Sequence, residues 1–158
     1  MKIISGGQTG ADIAALITAK KFNLATGGWI PKGFKTLIGP KPEYQELYNL
    51  QEHSSASYPP RTFLNVKNSD ATLRFAWDFN SSGEKCTLKA IFQYNKLYLD
   101  VNLKNSIRFT DVVDWIIIHN LKVLNVAGNS EKTYSGMTVF VIEYLTEVFN
   151  VLKNKNYI

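Results

Sequence analysis

Lys2-Ile3-Ile4-Ser5-Gly6-Gly7-Gln8-Thr9-Gly10-Ala11-Asp12-Ile13-Ala14-Ala15-Leu16-Ile17 opens the chain, and its reading decides the fold. Lys2 to Ser5 is a short β-like run. Gly6-Gly7 breaks it. Thr9 reads as a helix N-cap. From Ala11 the apolar residues Ile13, Leu16 and Ile17, with Ala14 and Ala15 between them, have helical spacing, and the helix is expected to end near Phe22-Asn23. Strand, glycine turn and helix form the first unit of a βαβ fold.

The same alternation continues outward. Leu24 to Trp29 reads as a second strand entering Gly27-Gly28. Pro31 to about Ser55 is rich in Gly, Pro and Lys and is expected to be a long loop; such loops usually serve a function or move. Pro59-Pro60 opens a helix to about Lys67, since proline is tolerated in a first helical turn. Asp70 to Ala76 reads as a strand, Asn80 to Gly83 as a loop, and Thr87 to Gln93 as a helix. Leu97 to Val101 is another strand. Thr110 is expected to cap a helix carrying Val112, Val113, Ile116 and Ile117. Val123 to Ala127 is a strand ending at Gly128, and the last helix runs from about Ser135 to Leu152. Alternating strands and helices predict an α/β fold: a single Rossmann-like domain over 1–158, with a mostly parallel sheet and helices on both faces.

Composition narrows the function classes. The chain has 158 residues, the length of one ordinary domain. Its hydrophobic fraction of 45% argues against disorder of the whole chain. No apolar run approaches the roughly 20 residues a membrane helix needs, and the run after Met1 is too short for a signal-peptide core, so a cytoplasmic protein without a membrane partner is expected. Cys86 is the one cysteine and the histidines, His53 and His119, are two, so no local pattern suggests a metal site. The net charge of +5 owes much to the tail around Lys153 and Lys155, where cations suit a helix end. No basic stripe interleaves with aromatics, which argues against nucleic acid. The wealth of Asn, Lys and Ile fits an AT-rich genome such as that of a virus.

Three loops follow predicted strands, and ligands of open α/β sheets bind at strand carboxyl ends. The first holds Gly6, Gly7, Gln8, Thr9 and Gly10. Its glycines would let a ligand approach backbone N–H groups, and the next helix offers unpaired donors and a positive dipole end, which suit phosphate. It is neither a Gly-x-Gly-x-x-Gly nor a P-loop pattern, and the plainer reading is a tight turn. Asp12 is a helix-dipole partner or a ligand contact. The second loop, with Ser81, Ser82, Gly83 and Thr87, again suits an anion, but Glu84 would repel one unless Lys85 or a metal offsets it. The plainer reading is a solvated turn. The third, from Asn125 through Gly128 to Ser130, leaves room for a ligand or simply caps a helix. Lys32, Arg61 and Asn65 are further candidates; surface charge is the usual fate of Lys and Arg. Trp29, Trp77 and Trp115 read as core.

These motifs together resemble the putative molybdenum carrier family. The resemblance is carried by Ile4 to Asp12, Gly27 to Gly33, Arg61-Thr62 with Asn65-Val66, Ser69 to Leu73, and Val123 to Gly128, in the family's order from about residue 3 to about 152. It implies a Rossmann-like domain of the superfamily that holds molybdenum-cofactor carriers, lysine decarboxylase-like phosphoribohydrolases and nucleotide-ligand sensors. The ligand so implied is phosphorylated or nucleotide-derived. One departure matters: the family's second loop resembles Ser-Pro-Gly-Thr-Lys-Leu-Thr, and here a carboxylate, Glu84, follows the glycine. The phosphoribohydrolase loop is absent, which disfavours hydrolysis.

The leading expectation is therefore a binding protein for a phosphorylated small molecule, a molybdenum cofactor or a nucleotide derivative, with Thr9, Lys32 and Arg61 assisting the first loop. A bulky residue at Gly7 is expected to abolish binding while the fold survives. The alternatives are a nucleotide-processing hydrolase using Asp12, Glu84 or Asp70 as acid or base, and a protein that sequesters a nucleotide second messenger. The last helix, apolar on more than one face, would suit a homo-oligomer.

Overall fold

A computed structural model describes residues 1–158. The opening segment forms strand β1 (Lys2–Ile4) and helix α1 (Ala11–Lys21). There follow β2 (Ala25–Ile30), a 3-10 turn (Lys32–Phe34), the two-residue strands β3 (Lys35–Thr36) and β4 (Gly39–Pro40), α2 (Tyr44–Tyr48) and β5 (Leu50–Glu52). The second half holds α3 (Tyr58–Lys67), β6 (Ala71–Ala76), α4 (Ser82–Gln93), β7 (Leu97–Asn102), α5 (Phe109–Ile118), β8 (Val123–Gly128) and α6 (Met137–Asn154).

Six strands make one parallel sheet in the order β5-β2-β1-β8-β6-β7, and β3 and β4 form a separate antiparallel hairpin. All six residues of β6 are buried, as a strand covered on both faces requires. Successive side chains alternate between the faces. Ile3, Leu73, Phe75, Leu124 and Val126 join the main core with α1, α5 and α6. Ala11, Ala14, Ala15 and Ala19 are fully buried there, and their small size lets α1 lie between the sheet and α6. On the other face, Val66 of α3 packs with Ala90 and Ile91 of α4. Thr72 and Arg74 point to that side. No helix is long and apolar enough to cross a membrane.

The fold class is the expected one, and the departures are local. The stretch from Pro31 to Ser55 is no open loop. Leu50 is buried against Leu16, Ile30 and Phe34, and β5 adds a parallel edge strand to β2. A three-residue strand carries too little alternation to show in sequence. Thr9 does not cap α1. Gly10 takes that position with φ 87°, and the Ala11 N–H donates to the Asn129 carbonyl (3.2 Å), so a distant backbone acceptor replaces a side-chain cap. α4 begins at Ser82, not Thr87, and α5 begins after Arg108 with no side-chain cap from Thr110.

Candidate functional site

β1 connects through α1 to strands on one side of the sheet, while β6 and β7 lie on the other. β8 fills the gap. The carboxyl ends of β1, β8 and β6 therefore meet where the direction of winding reverses, the usual place for a crevice. A cleft of about 370 Å³ opens there. Its walls are Gln8 and Asp12 from the first loop and α1, Tyr58, Arg61 and Thr62 from α3, the start of α4 from Ser81 to Thr87, and Ala127 to Ser130 after β8. Leu37, at the tip of the β3–β4 hairpin, closes one side. All three predicted loops converge on this cleft.

Arg61 and Asp12 form its charged floor. Arg61 Nη1 lies 3.4 Å from Asp12 Oδ2, with the two side chains only 11% and 6% exposed. Burial raises the Asp12 pKa above its ordinary value, and the Arg61 charge opposes that shift. The Gln8 N–H also donates to Asp12 Oδ2 (3.3 Å). Gly6 makes this arrangement fit: a Cβ there would overlap the Arg61 guanidinium and crowd Asp12. Arg61 Nε is buried and donates to nothing in the protein. A buried donor left unpaired costs about 1–3 kcal/mol, so this N–H marks a place for an acceptor from outside the chain.

α4 points its N-terminus into the same cleft. The Ser81 side chain accepts from the Glu84 N–H (3.4 Å) and caps the helix. The N–H groups of Ser82 and Gly83 have no intrahelical acceptor, as in any first turn, and sit at the positive end of the helix dipole. A Cβ on Gly83 would meet nothing within 4 Å, so the backbone here is open to approach. Asn129 ties the third loop to this one. Its Oδ1 accepts from the N–H groups of Trp77 and Asp78 (both 3.0 Å), and its Nδ2 donates to the Asp78 carbonyl (3.2 Å).

Glu84 lies behind the helix start. It is 2% exposed, and Oε2 has no hydrogen-bond partner. Arg74 Nη1 is 3.6 Å away, but Arg74 donates to both oxygens of Asp100, at 2.8 and 2.6 Å. Burial pushes the Glu84 pKa up to about 8. Arg74 opposes the shift, and the carboxylates of Asp12, Asp100 and Asp78 add to it. At neutral pH Glu84 is therefore largely a neutral acid, and it does not repel an anion as an ionised carboxylate would.

The remaining predicted residues are placed differently. Gly7 (φ 68°) turns away from the cleft toward Leu50 and Ile30. Gly10 and Gly128 let backbones pass close, Gly10 against Asn129 and Gly128 against Phe75. Thr9 lines a neighbouring apolar groove with Ile13 and Tyr44. Lys32 is exposed in the 3-10 turn and does not line the cleft. Asn65 is buried and bonds both ways with the Trp29 backbone, accepting at 2.7 Å and donating at 3.0 Å. Asn125 donates to Thr72 directly across the β6–β8 ladder (3.1 Å). Asp70 accepts from the N–H groups of Lys122 and Val123 at the amino ends of the strands, far from any role as acid or base in the cleft.

Sequence reasoning missed Tyr58 and Leu37, and it held Asn129 only as an unassigned member of the third loop. Tyr58 faces the Arg61 guanidinium 5.8 Å from its ring centre, with Lys35 at the same distance. Gln8 Oε1 accepts from the N–H groups of Thr9 and Leu37 (both 2.9 Å), and so pins the hairpin over the first loop. No local signal joins residues 29 positions apart. The early start of α4 was visible: Ser81-x-x-Glu84 is a capping-box spacing.

The family described as the circularly permutated YpsA SLOG family matches residues 3–149. No curated protein matches the chain. Among solved structures, the chain is similar to a protein from Syntrophus aciditrophicus described as a putative molybdenum carrier protein, with its crystal structure at 1.45 Å resolution. The two share 38% identity and superpose with a TM-score of 0.84, over 94% of this chain and 93% of that one.

Proposed function

This chain belongs to the circularly permutated YpsA SLOG family, and from that premise we propose that it is a binding protein for a phosphate-bearing small molecule. The observation that carries the proposal is the unpaired, buried Arg61 Nε in a cleft that also receives the open N-terminus of α4. A phosphate group would accept from Arg61 and from the Ser82 and Gly83 N–H groups together. Both a pterin-type molybdenum cofactor and a nucleotide derivative present such a group. The donors fit the phosphate rather than a bare metal ion: no three His, Cys, Asp or Glu side chains gather to hold one. Gly6, Gln8, Asp12, Ser81 and Thr87 shape the wall. Lys32, Asn65 and Asn125 take no direct part.

Calorimetric titration with pyrophosphate tests this. Arg61→Gln removes a charge-assisted contact worth about 1.5–3 kcal/mol and is expected to weaken binding roughly 10- to 100-fold. Because that variant also leaves Asp12 without its partner, Gly83→Trp is the companion: it fills the open cleft and leaves the core untouched. Equal affinity in wild type and Gly83→Trp overturns the site.

A further inference from the structure

Glu84 is the feature an anion site would not be expected to contain. It lines the cleft, yet it is 2% exposed and its Oε2 is unpaired. The cation beside it is already committed. Arg74 directs Nε and Nη2 to Asp100 and its Nη1 to the Glu84 carbonyl (3.3 Å), leaving the Glu84 carboxyl at 3.6 Å. The groups that face Glu84 come from every neighbouring element. Asp12 comes from α1, Arg74 and Asp100 from β6 and β7, and Asp78 from the loop after β6. Arg61 of α3 stands beyond Asp12 and is paired with it. Two guanidinium groups thus serve four carboxyl groups. With all four ionised, the floor of the cleft is net negative and repels an anion. One proton on Glu84 halves that excess and turns an unpaired acceptor into a donor.

We propose that Glu84 is the residue that sets which anions the cleft accepts: its buried carboxyl is neutral in the complex, which lowers the negative charge under the anion, so the site takes up a fully ionised anion only together with a proton. This rests on the anion-binding function proposed above. The proton is either held by Glu84 beforehand or brought by the ligand, as a phosphate monoester monoanion would bring it. In both cases the proton rests on Glu84 in the complex; when the ligand brings it, one ligand O–H bond is exchanged for the Glu84 O–H. A fully ionised anion binds only while Glu84 is protonated.

Sulfate is the probe, because it stays a dianion from pH 7 to 9 and any pH dependence belongs to the protein. The full-length chain is titrated calorimetrically at both pH values. With Glu84 titrating near pH 8, the affinity is expected to fall about tenfold between them. Glu84→Gln, neutral throughout, is expected to bind equally well at the two. Burial also pushes the Cys86 thiol in the cleft wall above its ordinary value, and any contribution from it would persist in Glu84→Gln. Wild type at pH 9, measured in two buffers of different ionisation heat, is expected to take up close to one proton per sulfate. If Glu84→Gln does not fold, the same count in Cys86→Ser shows that the proton is not the thiol's. Equal wild-type affinity at both pH values with no proton uptake overturns the role of Glu84 and leaves the anion site intact. No sulfate binding by wild type at pH 7 overturns the anion site itself, and this inference with it.

Discussion

Glycines that look alike in the sequence do different work. Gly6 leaves room for the Arg61 guanidinium, Gly7 turns the chain at φ 68°, and Gly83 leaves the mouth of the cleft open. Their substitutions should separate accordingly. Gly7→Val puts a β-branched residue at positive φ, with its Cβ 2.6 Å from Leu50 Cδ1. Strain of this kind costs of order 1–3 kcal/mol, so urea denaturation should show a loss in that range. Gly7 is thus a residue of the fold, and a bulky side chain there would lower stability rather than selectively block a ligand. Gly83→Ala meets open space and should stay within about 0.5 kcal/mol of wild type. An unchanged midpoint for Gly7→Val would refute this assignment.

At the scale of the element, α4 positions the cleft. Its first turn supplies open N–H groups, its cap is Ser81, and its third residue is Glu84. The spacing matches a capping box, but the Glu84 side chain turns inward toward Arg74 instead of back to the Ser81 N–H. Only half of the box is made. Ser81→Ala removes that half, together with a long contact from Asn129 Nδ2 (3.5 Å). The expected loss is about 1 kcal/mol, read as a lower denaturation midpoint with unchanged slope. An increase in stability would show that Ser81 does not cap the helix. α1 makes the opposite case: it lacks a side-chain cap and is held by its neighbours, through the alanine face against α6 and the Asn129 carbonyl at its first N–H.

For the whole molecule, the buried carboxyls set how stability follows pH. The folded chain keeps a proton on Glu84 up to about pH 8, whereas the unfolded chain releases it above the ordinary value of 4.5. Unfolding therefore releases a proton between those values, and raising the pH through that window favours the unfolded state. Asp12, also raised, acts with the same sign above its ordinary value of 3.8. The melting temperature should rise as the pH is lowered from 8.5 to 5.5, and Glu84→Gln should flatten the slope. A wild-type melting temperature that falls over that interval would contradict the burial argument. Glu131 has the opposite sense: burial alone would raise its pKa, but hydrogen bonds from the Thr138 side chain and from the Thr138 and Gly136 N–H groups together lower it, so its contribution is lost only in more acid solution.

The sequence by itself determined the class of fold and the three strand-end loops. Strand, turn and helix are local, and periodicity and glycine placement report them directly. It also carried Arg61, Gly83 and Asp12 into the candidate set. Only the tertiary structure decided what those residues do. Asp12 meets Arg61 across 49 positions, Arg74 meets Asp100 across 26, and Asn65 is drawn into the Trp29 backbone across 36. The charge of Glu84 is decided in the same way. A carboxylate in a phosphate cradle looks repulsive when only its chemical type is known, but its charge depends on desolvation and on which partner already holds the nearest arginine. Both are properties of packing between distant segments, and no local pattern records them.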